Sequence, residues 1–226
     1  MILKNPGVQA LFITNIVSNI TRLLSNLLLA RLLSPEDFAI TGLATTIIFA
    51  FNMLSDGGFR SFIIRNKHGE DVELLGTLWT TKCIRNIFLA IILFLTSDSI
   101  AVYFAIPELA LVLKVLCLNF LFDAIRPISN WVAERQNRVA TVMYLEFVCY
   151  MLSVIIMLAG TYYYRTFWPI IAGMMSNELF KVVGGYWILG NRGSMLTLNT
   201  KILKEFFHWA KYIVPSSIIT LGFNAV

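Results

Sequence analysis

The chain has 226 residues, of which 58% are hydrophobic and 14% charged, and its mean hydropathy is +0.73. Soluble domains contain about 45–50% apolar and about 25% charged residues, so lipid must be the solvent for much of this surface. The net charge of +5 is modest, and no basic patch interleaves with exposed aromatic residues, which argues against nucleic-acid binding. The three cysteines and two histidines lack metal-ligand spacing, so we expect no metal and no other cofactor.

Six segments are long and apolar enough to cross a bilayer as α-helices of about 20 residues. They cover residues 8–33, 37–64, 79–104, 107–129, 141–163 and 167–190. A seventh segment begins near residue 208 and reaches Val226, the last residue of the sequence. Pro35, Pro107 and Pro169 stand near predicted helix starts, where a missing N–H costs nothing. The sequence therefore predicts an all-α, polytopic membrane bundle of six transmembrane helices plus a truncated seventh.

Residues 191–206 form the linker after the sixth span. The segment begins polar and continues as Lys201-Ile-Leu-Lys-Glu-Phe-Phe-His-Trp. This second part is either a basic amphipathic helix at the membrane interface or the hydrated start of the seventh span.

Lysine and arginine residues predict the orientation, because they concentrate in cytoplasmic loops. They cluster at the N-terminus, between spans two and three, between spans four and five, and after span six: Lys4, Arg60, Arg65, Lys67, Lys82, Arg85, Arg135, Arg138, Arg192, Lys201, Lys204 and Lys211. The opposite loops hold only Arg31 and Arg165. We therefore expect a cytoplasmic N-terminus and cytoplasmic even-numbered loops.

The first span carries a polar face in an otherwise apolar helix. Its members are spaced four, three and four residues apart: Asn15, Asn19, Arg22 and Asn26. Such a face either packs against another helix through hydrogen bonds or lines a hydrated cavity. A charge near mid-span is costly unless it faces water, a partner or a ligand, which favours a cavity wall for Arg22 and the three asparagines.

Spans two and four carry polar residues whose roles the sequence leaves open. Asn52 lies in span two, and Asp56 precedes a glycine pair that predicts a break in the helix. Asp56 either caps this break or lines a cavity. Asp123 and Arg126 are three residues apart in span four, which favours a structural salt bridge. Lys114 either reaches the lipid headgroups or lines a cavity.

Spans five and six add further charges of both signs. Span five carries Glu146, and span six carries Glu178 and Lys181, which can pair within the helix. A simple anchor has no use for charges in most spans, whereas a bundle that encloses a hydrated path does. We expect no catalytic residues and the following substrate-binding residues: Arg22, Asn15, Asn19, Asn26, Asn52, Arg126, Glu178 and Lys181.

Two segments near the N-terminus form recognisable motifs. They are Ala30-Arg-Leu-Leu-Ser-Pro-Glu-Asp-Phe38 and Leu54-Ser-Asp-Gly-Gly-Phe-Arg-Ser-Phe-Ile-Ile-Arg65. Together they resemble the polysaccharide repeat-unit flippases, which serve O-antigen and capsule export, of the multidrug/oligosaccharidyl-lipid/polysaccharide exporter superfamily. Ala39 stands where that family often has Gly, and Gly58-Phe59 where Gly-Leu is common. These departures leave the substrate subgroup open.

The resemblance implies two similar bundles joined by a cytoplasmic linker after helix six. Residues 1–190 would be the first bundle, residues 191–206 the linker and residues 207–226 the start of the second. It also implies alternating-access export of an undecaprenyl-diphosphate-linked oligosaccharide through a cationic cavity in the bacterial inner membrane. Membrane lipid and the polysaccharide assembly machinery would be further partners. The cavity role carries over most directly to Arg22 and only weakly to Arg126 and Lys181.

Three other functions compete with a flippase. A drug/cation antiporter of the same superfamily would favour acidic cavity residues, and Arg22 argues against it. A polysaccharide polymerase or acyltransferase would need a large external loop or a nucleophile–base pair. The predicted external loops are short, and neither His68 nor His208 lies in a span core. A non-transporting partner protein is the third alternative. We therefore predict a transporter rather than an enzyme, and one that residues 1–226 alone would not complete.

Overall fold

The computed structural model describes residues 6–55, 58–191 and 193–211, and no strand occurs in these ranges. The helices are α1 Pro6–Leu32, α2 Pro35–Ser55, α3 Phe59–Arg65, α4 Val72–Phe104, α5 Pro107–Ile125, α6 Ser129–Arg135, α7 Val139–Tyr164 and α8 Trp168–Gly184. A π-helical turn at Gly185–Leu189 extends α8, and residues 200–211 form a further helix, α9. The prediction of an all-α bundle is confirmed. Most of the predicted seventh span, from residue 212 onward, lies outside the described residues.

Helix ends follow local sequence signals. Ser34 Oγ accepts a hydrogen bond from the backbone N–H of Asp37 at 3.1 Å, which caps the start of α2. The span predicted at 37–64 is two helices, α2 and α3, separated at the predicted glycine break. Gly58 adopts a φ of 72°, which disfavours any residue with a side chain. Asp56 lies outside the described residues. α4 begins at Val72, seven residues before the predicted start of span three, because its first two turns pack against the short helices.

The surfaces of the long helices suit lipid as solvent. Among the described residues, α4 and α7 are long and apolar enough to cross a bilayer by length and composition. α4 exposes large apolar side chains at helical spacing, which form one outward face: Ile84, Phe88, Ile91 and Leu95. These helices and their exposed apolar faces suit a bundle that lies in a membrane, and the number of six spans stays a prediction.

The main apolar core lies between α2, α4, α5 and α8. α5 supplies its centre, where Leu109, Val112, Leu113 and Leu116 have no exposed surface. α4 packs along α5, α7 packs along α8, and α1 packs mainly along α7. α1 therefore lies at the edge of the bundle and leaves much of its own surface exposed.

The short helices gather at one end of the bundle and form a second apolar core, which also includes the first turns of α4. α3 contributes Phe59 and Phe62, α6 contributes Val132, and α9 contributes Phe206 and Ala210. The rings of Phe59 and Phe206 contact each other with centroids 4.4 Å apart and planes tilted by 33°. At the opposite end, tight turns of two or three residues connect the long helices. The end with the short helices is the one that the charge pattern predicts to be cytoplasmic.

The linker before α9 is bound to the first turns of α4. The backbone N–H groups of Thr197 and Asn199 donate to the hydroxyls of Thr80 and Thr77, each at 3.2 Å. The Asn199 side chain donates to Glu73 at 2.8 Å. These contacts, together with the burial of Phe206 and Ala210, hold the described part of the linker against the bundle. The division of the chain at residues 190 and 206 into two bundles stays a prediction.

Candidate substrate cavity

Three adjoining cavities lie inside the bundle. The central cavity, of about 410 Å³, is lined by Ile48, Asn52, Phe59, Lys82, Arg85, Asn119, Asp123, Arg126, Trp131, Met174, Asn177 and Glu178. The end cavity, of about 340 Å³, is lined by Arg60, Lys82, Asp123, Arg126, Pro127, Asn130, Trp131, Glu134, Val139, Val142, Met143 and Glu146. The side cavity, of about 260 Å³, lies between α1, α7 and α8 and is lined by Thr14, Asn15, Ser18, Arg22, Met143, Glu146, Phe147, Tyr150, Asn177 and Lys181.

The cavities share walls. Lys82, Asp123, Arg126 and Trp131 line both the central and the end cavity, and we call these four residues the junction. The side cavity shares Asn177 with the central cavity and both Met143 and Glu146 with the end cavity. Polar side chains therefore follow a path through the bundle, from the short helices at one end to the polar face of α1.

Asp123 holds two side chains of α4 at the junction. Lys82 Nζ lies 3.3 Å from Asp123 Oδ1 and also donates to the carbonyl oxygen of Arg126 at 3.3 Å. Asn86 donates to the other carboxylate oxygen, Oδ2, at 2.6 Å. Lys82 and Asn86 are 3% and 0% exposed. A lysine this deeply buried needs such partners, since an unpaired buried charge is costly.

Arg126 binds α7 instead of its own helix. α5 ends at Ile125, and Arg126 has an extended ψ of 131°, so its side chain leaves the helical direction. Its Nη2 donates to Glu146 Oε1 at 2.9 Å. The same nitrogen donates to the side-chain amide oxygen of Asn130 at 2.8 Å. The predicted salt bridge between Asp123 and Arg126 is wrong. Two ion pairs between different helices take its place, because the helix that would set the three-residue spacing has already ended.

The predicted pair in α8 is confirmed, with Lys181 Nζ 2.6 Å from Glu178 Oε1. Glu178 lines the central cavity and Lys181 the side cavity, so the pair stands between them. Lys114, whose role was open, pairs with Asp98 at 2.7 Å, away from the three cavities.

The α1 residues divide into two groups. Asn15 and Arg22 line the side cavity, together with Lys181. Asn19 and Asn26 are exposed and line none of the three cavities. Arg22 is also exposed and makes no ion pair within the described parts of the chain. Asn52 of α2 lines the central cavity.

The central cavity also holds residues that are not among the predicted binding residues, including Lys82, Asn119 and Asn177. Lys82 was counted only as a loop charge that sets orientation, although its spacing of four from Asn86 and seven from the core residue Leu89 indicates the inward face of α4. The amide oxygens of Asn119 and Asn177 are buried on the cavity wall and accept no hydrogen bond within the described residues. Such orphaned acceptors fit a wall that contacts water or a hydroxylated ligand.

The chain belongs to the polysaccharide biosynthesis protein family, whose model matches residues 28–226. Over 91 residues, or 40% of this chain, it is 29% identical to the succinoglycan biosynthesis transport protein ExoT of Rhizobium meliloti. The match spans 18% of the length of that relative. No solved structure matches the chain. The predicted membership of a polysaccharide exporter family is confirmed.

Proposed function

We propose that the protein is a flippase that moves undecaprenyl-diphosphate-linked oligosaccharide repeat units across the bacterial inner membrane for surface polysaccharide synthesis. The observation that carries this proposal is the set of three adjoining, charge-lined cavities inside an apolar helical bundle. Family membership and the relative with a transport name support the same class of function.

The side chains on the cavity walls suit the two chemical parts of such a ligand. The cations that line the cavities include side chains from α1, α4, α8 and the end of α5: Arg22, Lys82, Lys181 and Arg126. Ammonium and guanidinium groups bind phosphate oxygens through charge-assisted hydrogen bonds. The free amide oxygens of Asn119 and Asn177 can accept hydrogen bonds from sugar hydroxyls.

Arg22 is the residue that tests this function most directly. In the full-length protein, Arg22→Ala should abolish surface polysaccharide and cause lipid-linked oligosaccharide to accumulate in the membrane. Arg22→Lys should retain part of the activity, because the charge persists and the planar fork is lost. Arg31→Ala is the matched control, since Arg31 is exposed on the same helix and lines none of the three cavities.

The assay is complementation of a strain that lacks the gene, with immunoblotting to confirm equal membrane levels of each variant. Normal polysaccharide with Arg22→Ala would remove Arg22 from the site. Normal polysaccharide in the deletion strain itself would refute the flippase function.

The proposed orientation places the short helices in the cytoplasm. In a variant that lacks Cys83, Cys117 and Cys149, Lys67→Cys should react with an impermeant maleimide only after the membrane is permeabilised. Arg165→Cys, in the exposed turn between α7 and α8, should react in cells whose inner membrane is intact. The reverse pattern of labelling would invert the topology.

A further inference from the structure

We propose that Lys82 is a phosphate-binding residue at the junction, where it holds the diphosphate of the ligand between the central and end cavities. This inference deepens the proposed function and rests on it for the identity of the ligand. It gives a binding role to a lysine that otherwise serves as a buried partner of Asp123.

The position of Lys82 separates it from an ordinary buried lysine. Its side chain is 3% exposed, yet it lines two cavities at once. Its ammonium lies 5.5 Å from the ring centroid of Trp131, which lines the same two cavities. Lys82 is therefore screened from the outer surface of the bundle and accessible only from inside.

The bonds that Lys82 makes are long. Both of its oxygen partners lie at 3.3 Å, whereas charge-assisted N–H···O bonds are commonly about 2.7–2.9 Å. Two lysine pairs elsewhere in the bundle are shorter, with 2.6 Å between Lys181 and Glu178 and 2.7 Å between Lys114 and Asp98. Lys82 is thus the least tightly held lysine of the three.

The ammonium of Lys82 has capacity for another acceptor. An ammonium carries three N–H donors, and within the described residues Lys82 donates to a carboxylate and to one carbonyl. A phosphate oxygen that enters the junction from either cavity can accept the third. Lys82 then bridges Asp123 and the phosphate without leaving its carboxylate.

Asp123 does not depend on Lys82 alone. Asn86, which is fully buried, donates to Oδ2 at 2.6 Å, a shorter contact than either of those that Lys82 makes. When Lys82 tilts towards a phosphate, Asp123 keeps this hydrogen bond. A buried carboxylate that has a second donor can share its ammonium with a ligand at lower cost than an isolated buried pair can.

A purely structural role makes a different prediction, and three variants separate the two. Lys82→Met leaves Asp123 without its ammonium, so a structural and a binding role both predict a defect. Lys82→Met combined with Asp123→Asn removes both charges and leaves an amide oxygen that can still accept from Asn86. If Lys82 serves only to neutralise Asp123, this double variant regains full activity. If Lys82 binds phosphate, the double variant regains its membrane level but does not transport.

Titration calorimetry measures how tightly the purified full-length protein binds inorganic diphosphate. This measurement tests the site without relying on transport. The double variant should bind diphosphate about tenfold more weakly or worse, the loss of one charged hydrogen bond. Lys114→Met combined with Asp98→Asn removes a matched pair outside the cavities and should bind as the wild type does. Asp123→Asn alone should bind diphosphate at least as tightly as the wild type, since Lys82 is released to the ligand.

Unchanged binding by the double variant would overturn the proposal, and so would an absence of diphosphate binding by the wild type. Weakened binding by Asp123→Asn alone would overturn it as well, and this variant keeps Lys82 in place if the others fail to fold. The binding site and the flippase function can be separated. If diphosphate binding depends on Lys82 but deletion of the gene leaves surface polysaccharide unchanged, the site is upheld and the flippase function is refuted.

Discussion

The same two helices, α4 and α5, build two very different contacts along their length. Towards the end with the tight turns, Leu89 and Leu93 of α4 join Leu113 and Leu116 of α5 in a fully apolar core. Towards the short helices, Lys82 and Asn86 of α4 meet Asp123 of α5 beside cavities. One half of the interface is closely packed and apolar, and the other half borders cavities with charged walls.

From this contrast we infer that the apolar half stabilises the bundle, and we propose that the polar half binds the ligand. Packing in the apolar half is held by many weak contacts that a change of one methylene already disturbs. In the polar half, Lys82 and Arg126 are each held by a carboxylate from a different helix, so a small relative movement of the helices changes their partners. Stability should therefore depend most on the apolar half and transport most on the polar half.

The largest change in stability should come from the apolar half. Leu113→Ala removes a side chain with no exposed surface and should lower the free energy of unfolding by about 2–5 kcal/mol. Leu111→Ala is the matched control, because Leu111 is on the same helix and 55% exposed. Unfolding of the purified full-length protein in detergent measures both. Equal losses from the two variants would show that the apolar half does not form the core.

A smaller loss should follow when the link between α5 and α7 is weakened. Glu146→Gln keeps the shape of the side chain and removes the charge that holds Arg126 at 2.9 Å. Because Glu146 is partly exposed, we expect a loss of only about 1–2 kcal/mol, together with reduced transport per folded molecule. Asp98→Asn, in the exposed pair with Lys114, should change neither quantity. Unaltered transport with Glu146→Gln would separate this pair from the function.

The smallest change in stability, with a clear loss of transport, should come from Asn119. Its amide oxygen is buried without a hydrogen-bond donor in the described part of the chain, so Asn119→Leu removes an unsatisfied group and replaces it with an apolar one of similar size. Stability should be unchanged or rise by up to about 1 kcal/mol. Transport per folded molecule should fall, because the acceptor on the cavity wall is lost. A stable variant with full transport would assign Asn119 to packing alone.

The elements that the sequence predicted correctly are those set by neighbours along the chain. The long helices follow from apolar stretches of sufficient length, the start of α2 from Ser34 and Pro35, and the break before α3 from the glycine pair at residues 57 and 58. The pair of Glu178 and Lys181 was also predictable, since one continuous helix carries both residues. In each case the residues that decide the structure are close neighbours in the sequence. For the pair in α8, the helix repeat places residues three positions apart on the same face.

The partners of the buried charges were decided by the tertiary structure. Lys82 lies near the start of α4 and Asp123 near the end of α5, and they meet because the two helices pack antiparallel. Arg126 pairs with Glu146 because α5 ends one residue earlier and α7 passes beside it. Local sequence patterns are enough to predict which helices form and which of them carry charges. The packing of those helices decided which charges neutralise each other and which cavity each one lines, because contacts between helices depend on distances in space that no local spacing records.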